Sequence, residues 1–212
     1  MLIELFVKGG PIMWPILILS FVTVGVVVER ILFLVKEARY RDLNEVRRIF
    51  SLVEHGRIDE AALELPANSD RIAIVLSQGL AHRDASLTEA MIEASQAELD
   101  RHNRGLVVLD TAVTLGPLLG LLGTVTGMMR AFNLVGGEDL AGKTAALTGG
   151  VSECLIAVTF GLGVAILALI PLNYLNARLE KVRREFESAM TRLELLVTRQ
   201  QATAAARDGV GV

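Results

Sequence analysis

Residues 154–172, "CLIAVTFGLGVAILALIPL", run for nineteen positions without a charge. At 1.5 Å per residue a helix of that length crosses a bilayer core of about 30 Å. Two further stretches have the same character: "PIMWPILILSFVTVGVVVERILFLV" (11–35) and "LVVLDTAVTLGPLLGLLGTVTGMMRAFNL" (106–134). Of the 212 residues 52% are apolar, and they are concentrated in these runs, which excludes an ordinary soluble domain. The pattern predicts an all-α integral membrane protein with three spans at 11–35, 106–134 and 147–175. At the lip of the third run sits Glu153. A charged side chain at mid-bilayer costs about 2.5–3.5 kcal/mol or more, so this carboxylate needs a reason to be there.

Several functions are argued against by what is missing. No basic tract points to nucleic acid. The single cysteine, Cys154, lies inside an apolar segment and reads as a small packing residue. His55, His82 and His102 are scattered through polar sequence, which predicts no metal site. No nucleophile–base pair is visible, which argues against an enzyme and a resident cofactor.

Orientation follows from lysine and arginine near the span ends. Lys36, Arg39, Arg41, Arg47 and Arg48 follow span one, Arg101 and Arg104 precede span two, and Arg178, Lys181, Arg183 and Arg184 follow span three. The opposite side has Lys8, Arg130 and Lys143. This predicts a short outer N-terminus (1–10), a cytoplasmic helical region (36–105), an outer loop (135–146), a cytoplasmic helical extension (176–200) and a disordered tail (201–212). In the first cytoplasmic region "SLTE" (86–89) is a capping box, with Ser86 as cap and Glu89 as its answer. No proline follows until Pro117, so this helix is predicted to enter span two as one rod. Span three is predicted to continue into a charged helix whose apolar stripe is Leu175, Leu179, Val182, Phe186, Met190, Leu193 and Val197. That stripe packs either within the chain or between copies.

Each inner helix separates into faces at 100° per residue. In span two Gly116, Gly120, Gly123 and Gly127 share a stripe, two GxxxG pairs in series that let backbones approach. Asp110, Thr114 and Thr124 form a polar track on another face, Thr114 and Thr124 each within about 40° of Asp110. In span three Ala157, Gly161, Ala165 and Ala168 are the small stripe, and Thr148, Ser152 and Thr159 a second face. Two readings remain for the polar residues. Threonines in spans often bond back to their own helix, Asp110 can sit at headgroup level near Arg104, and Glu153 can snorkel outward or pair with Arg130. Alternatively they line an ion path, as intramembrane ionisable groups usually do.

The segments "GGPIMWPILILSFVTVGVVVER", "LDTAVTLGPLLGLLGTVTGMMRAF" and "TGGVSECLIAVTFGLGVAI" resemble the ExbB/TolQ branch of the MotA/TolQ/ExbB proton-channel family. The resemblance covers all three spans in order. It implies a homo-pentamer in the bacterial inner membrane around a pore lined by spans two and three. It implies an ExbD/TolR-like partner, two copies per pentamer, with one span carrying an aspartate. Protons would be the transported ion, and work would pass to a TonB/TolA-like envelope protein. Thr124 stands at the family's pore threonine in "GTVTG", and Glu153 at the acidic position of "SEAL", here "SECL". The family's span-three threonine, five residues after that glutamate, is Val158 here, with Thr159 next, which turns a hydroxyl by about 100°. The competing function is a non-conducting oligomeric scaffold for envelope proteins.

Overall fold

The computed structural model describes residues 6–63, 65, 69–135 and 140–208. The described residues are mostly α-helical and include no strand, and seven helices lie wholly within them. They are α1 (Met13–Tyr40), α2 (Leu43–Glu54), α3 (Ile58–Ala61), α4 (Arg71–Ala81), α5 (Arg83–Asn103), α6 (Leu106–Val135) and α7 (Leu140–Asp208). Three stretches are long and apolar enough to cross a membrane: Met13–Arg39, Leu106–Asn133 and, within α7, Thr148–Ala202. This is a multi-pass membrane protein. Its contacts divide into two units, Met1–Ile31 with Gly105–Asn176, and Leu32–Arg104 with Ala177–Val212.

The first unit holds the apolar helices. Pro11 lies in the turn that leads into α1, and Pro15 sits in its first turn, where a missing N–H costs nothing. Met13, Ile16 and Val164 are buried together, with Ile12, Leu119 and Ile156 packed around them. Large apolar side chains such as Leu118, Leu121, Leu155, Ile166 and Ile170 point outward, as lipid-facing or subunit-facing residues do. Pro117 and Pro171 lie inside α6 and α7 without ending them, although each lacks the N–H that would bond the carbonyl four residues back.

The tight contact of this unit is between α6 and α7, and glycine makes it possible. Gly116, Gly120, Gly123, Gly127 and Gly161 are all buried. A Cβ on Gly116 would stand 2.7 Å from the Gly161 carbonyl oxygen, and one on Gly161 would stand 2.5 Å from the Gly116 oxygen. At Gly120 the neighbour is the Val158 Cα at 3.0 Å, at Gly123 the Ala157 Cβ at 2.5 Å, and at Gly127 the Cys154 Sγ at 2.9 Å. Gly150 continues the seam against Ala131. The two stripes therefore meet each other inside one chain, backbone against backbone.

The second unit has an aliphatic core built on α2, α4, α5 and the later part of α7. Val53, Leu76, Leu80, Met91, Phe186 and Leu193 are almost completely buried. Each such side chain contributes about 1.5–3 kcal/mol on leaving water. The stripe from Val182 to Val197 is thus covered within the chain: Phe186, Leu193 and Val197 are in the core, and Val182 and Met190 pack on it. Asp42 caps α2 by accepting from the Asn44 N–H, and Asp70 caps α4 by accepting from the Ile72 N–H. Burial of Asp70 outweighs these bonds and raises its pKa. His102 is buried beside Glu37, Nε2 to Oε2 2.8 Å. Burial alone would lower its pKa, but Glu37 and the Glu98 carbonyl prevail and raise it.

The structure differs from the sequence expectations at three places. The Ser86 helix and span two are not one rod: α5 ends at Asn103, Arg104 leaves the helical region, and Gly105 takes φ +80°, the left-handed conformation natural to glycine. The cap at Ser86 does form, its Oγ accepting from the Glu89 N–H at 3.3 Å. The outer loop is shorter than 135–146, since α6 reaches Val135 and α7 starts at Leu140; residues 136–139 lie outside the described ones. The tail is helical to Asp208, in keeping with the alanine and glutamine content of "QQATAAARD". In the first unit Arg30 is 5% exposed, pairs with Glu29 at 2.5 Å, and lies against Gly105.

The glycine seam carries a direct expectation. Gly161→Ala places a methyl against backbone oxygen that no rotamer change can move, so it is expected to destabilise the folded chain by about 1–3 kcal/mol. Gly163→Ala, where nothing lies within 4 Å of the added Cβ, is expected to be neutral or stabilising. Thermal unfolding of both variants in detergent measures the difference.

Candidate ion site between the inner helices

The α6–α7 seam fixes the register of two chemically active positions. Opposite Gly127 lies Cys154, whose thiol donates to the Thr124 carbonyl at 3.2 Å. One helical step before it, Glu153 reaches out of α7 towards α6. Its Oε1 accepts from Arg130 Nη1 at 3.0 Å, with side-chain exposures of 20% for the glutamate and 50% for the arginine. The same oxygen presses on the segment before α1: a Cβ on Gly10 would overlap it. Gly10 has φ +73°, so both its backbone conformation and the space beside it require glycine. Glu153 is thus held by a cation from α6 and covered by the segment that leads into α1. The pair with Arg130 is thus present.

The threonines bond to their own helices. Thr124 Oγ donates to the Leu121 carbonyl at 2.7 Å, Thr114 Oγ to Thr111 and Asp110 carbonyls at 3.0 and 3.2 Å, and Thr159 Oγ to the Leu155 carbonyl at 2.8 Å. Asp110 and Thr114 are exposed at one end of α6, and Thr124 is half-buried further along it. Asp110 lies near the start of α6, whereas Arg130, which holds Glu153, lies near its end. Val158 is half-buried with its backbone on Gly120, whereas Thr159 is exposed on the adjacent face. There it lines a shallow groove with Thr148, Ser152, Leu155 and Phe160. The one-residue displacement of the threonine therefore moves the hydroxyl off the α6 contact and onto the outer face of α7.

Two participants escaped the sequence. The apolar surroundings of Cys154 in the sequence indicate packing alone, and its bond to the Thr124 carbonyl depends on the helix register, which no local pattern specifies. Gly10 had a visible signal in the pair Gly9–Gly10 before a span, but its role requires knowing that Glu153 lies next to it.

Comparison with known proteins agrees with this architecture. Residues 68–188, more than half of the chain, match the MotA/TolQ/ExbB proton channel family. An ExbB-like biopolymer transport protein of Synechocystis sp. is 34% identical over 172 residues, covering 78% of this chain and 80% of the relative. A second ExbB-like protein of that organism is 32% identical over 203 residues, covering 92% and 78%. The Tol-Pal system protein TolQ of Haemophilus influenzae is 30% identical over 111 residues, covering 52% and 48%.

The packing of Gly10 on Glu153 is testable as a coupling. Gly10→Ala is expected to cost about 1–3 kcal/mol through the left-handed backbone alone, with the clash in addition. In a Glu153→Ala background the clash is gone and the cost of Gly10→Ala should fall. A double-mutant cycle by thermal unfolding reads that difference; equal costs in both backgrounds would remove the contact.

Proposed function

The chain belongs to the MotA/TolQ/ExbB proton channel family, on its ExbB/TolQ side, and on that premise we propose that it is the channel-forming subunit of an inner-membrane motor driven by protons. Five copies surround a pore, with an ExbD/TolR-like single-span partner, two copies per pentamer, supplying an aspartate inside it. The partner aspartate carries protons past Thr124, and the resulting movement is passed to a TonB/TolA-like envelope protein. The N-terminus lies outside and residues 36–105 and 176–212 lie in the cytoplasm, as the lysine and arginine distribution favours.

The reading rests on Glu153. It is a carboxylate at the head of the uncharged stretch 154–172 of α7, partly accessible, and held by Arg130 with Gly10 packed against it. A group so placed can exchange a proton with water and change its hold on Arg130 when it does. Protonation would weaken the ion pair and loosen the link between α6 and α7 at one point while the glycine seam stays closed. Asp110 and Thr114 extend the polar face of α6, and Thr159 with Thr148 and Ser152 that of α7.

A scaffold that conducts nothing is the second reading, and one observation favours it. The hydroxyls of Thr114, Thr124 and Thr159 are all satisfied by their own helices, as purely structural threonines are.

Proton uptake into proteoliposomes that contain the partner separates the two. Glu153→Gln and Thr124→Val are expected to cut flux by about tenfold or more, the scale on which removing a positioned proton-transfer group acts, with the oligomer intact. Glu153→Asp should retain more flux than Glu153→Gln. Unchanged flux in correctly assembled variants would leave the scaffold. The orientation is read separately: a cysteine in place of Asp84, whose side chain is 95% exposed, should react only with reagents on the cytoplasmic side.

A further inference from the structure

In the second unit a small cleft of about 60 Å³ is lined by the basic side chains of Arg41, Arg71, Arg178 and Lys181 and by the apolar ones of Ile72, Val182 and Phe186. We propose that this cleft binds the phosphate of an anionic lipid head group.

The charges favour an anion. The carboxylates that line the cleft are already engaged: Glu185 with Arg41 at 2.7 Å, Glu37 with His102 at 2.8 Å, and Asp70 with the N–H groups of Ile72 and Asp42 at 2.9 and 3.2 Å. Arg71 lies 3.6 Å from Glu98. Arg178 and Lys181, one turn apart on α7, form no ion pair among the described residues. Two cations thus face the cleft with their charge uncompensated, and Arg178 offers a planar fork suited to phosphate oxygens.

The shape favours a lipid over a free ion. Inorganic phosphate gains nothing from an apolar floor, whereas a phosphodiester that carries acyl chains can lay their first methylenes on Val182 and Ile72. Sequence position agrees. Arg41 follows the apolar stretch Met13–Arg39 by two residues, His102 precedes Leu106–Asn133 by four, and Arg178 stands early in the polar continuation of α7. Basic pockets beside membrane spans, on the side rich in lysine and arginine, are where anionic head groups are held. The orientation proposed above decides only which leaflet supplies the lipid.

The test uses the intact complex, delipidated in a neutral detergent and titrated with phosphatidylglycerol or phosphatidylcholine, with bound lipid counted by native mass spectrometry. Phosphatidylglycerol is expected to be retained over phosphatidylcholine. Arg178→Gln with Lys181→Gln should lower its apparent affinity about tenfold or more, at the usual worth of two basic residues beside an anionic surface. Lys181 is exposed, so Lys181→Gln alone keeps the fold and should show part of the loss. Arg183→Gln with Arg184→Gln removes the same charge outside the cleft and should change nothing. Equal retention of the two lipids, an equal loss in the control pair, or no lipid retained by the unaltered complex would overturn the proposal. Displacement by inorganic phosphate at the affinity of phosphatidylglycerol would also overturn it, by making the site one for the free ion. Lipid retention is read without proton flux, so its failure is separate from failure of the motor reading.

Discussion

The approach of α6 to α7 at Gly116 and Gly161 is the constraint on which the first unit depends. Lipid tails are as apolar as leucine, so the hydrophobic effect gives little reason for two spans to adhere. Contact must come from dispersion and dipoles at short range, and both need backbones that can touch. With each carbonyl oxygen 2.5–2.7 Å from where the opposite Cβ would be, nothing larger than glycine fits at that crossing. Away from it the seam admits slightly more: Ala157 faces Gly123 and Cys154 faces Gly127. Register follows from this alternation, because sliding either helix by one turn would bring a side chain onto backbone. The register in turn sets the thiol of Cys154 on the Thr124 carbonyl and brings Glu153 within reach of Arg130. A strong polar interaction is thereby placed by many weak apolar ones.

The second unit is held by ordinary means. Its core is aliphatic, its helices begin at Asp42 and Asp70, and Ser86 marks a start inside α5. The two halves of one chain thus use two solvents, and α7 supplies residues to both with one helical period. Along Ala157–Ala168 the period selects small residues for close backbone contact. Along Phe186–Val197 it selects large ones for burial. The change comes after Leu175, where charged residues return to the helix after the uncharged stretch.

Much of this was legible because it is written locally. Uncharged length reveals the spans, the fourfold spacing of glycine reveals the seam, and "SLTE" reveals the cap at Ser86. What stayed hidden depends on three dimensions or on a single dihedral angle. Gly105 carries no neighbouring signal that separates a left-handed residue from a helical one, so the break before span two was invisible. Whether the Phe186 stripe packs on its own chain depends on where α2, α4 and α5 lie. Gly10 and Cys154 act through partners more than twenty residues away in sequence. Glu153 stood out by its charge, but the choice between a snorkelling group and one paired with Arg130 needed the geometry of α6.

The threonine hydroxyls have a consequence for any cation that meets them. Each has committed its only proton to a backbone carbonyl of its own helix, so what it turns outward is a pair of oxygen lone pairs. In that state Thr124 is an acceptor of the same kind as a carbonyl. It can solvate a hydronium or a metal cation, but it cannot hand a proton onward without first giving up its internal bond, at about 1 kcal/mol. In a pore of the kind proposed, such a surface would act as a sleeve that lowers the cost of a passing positive charge, and any relay of protons along it would have to be carried by water or by a group that moves.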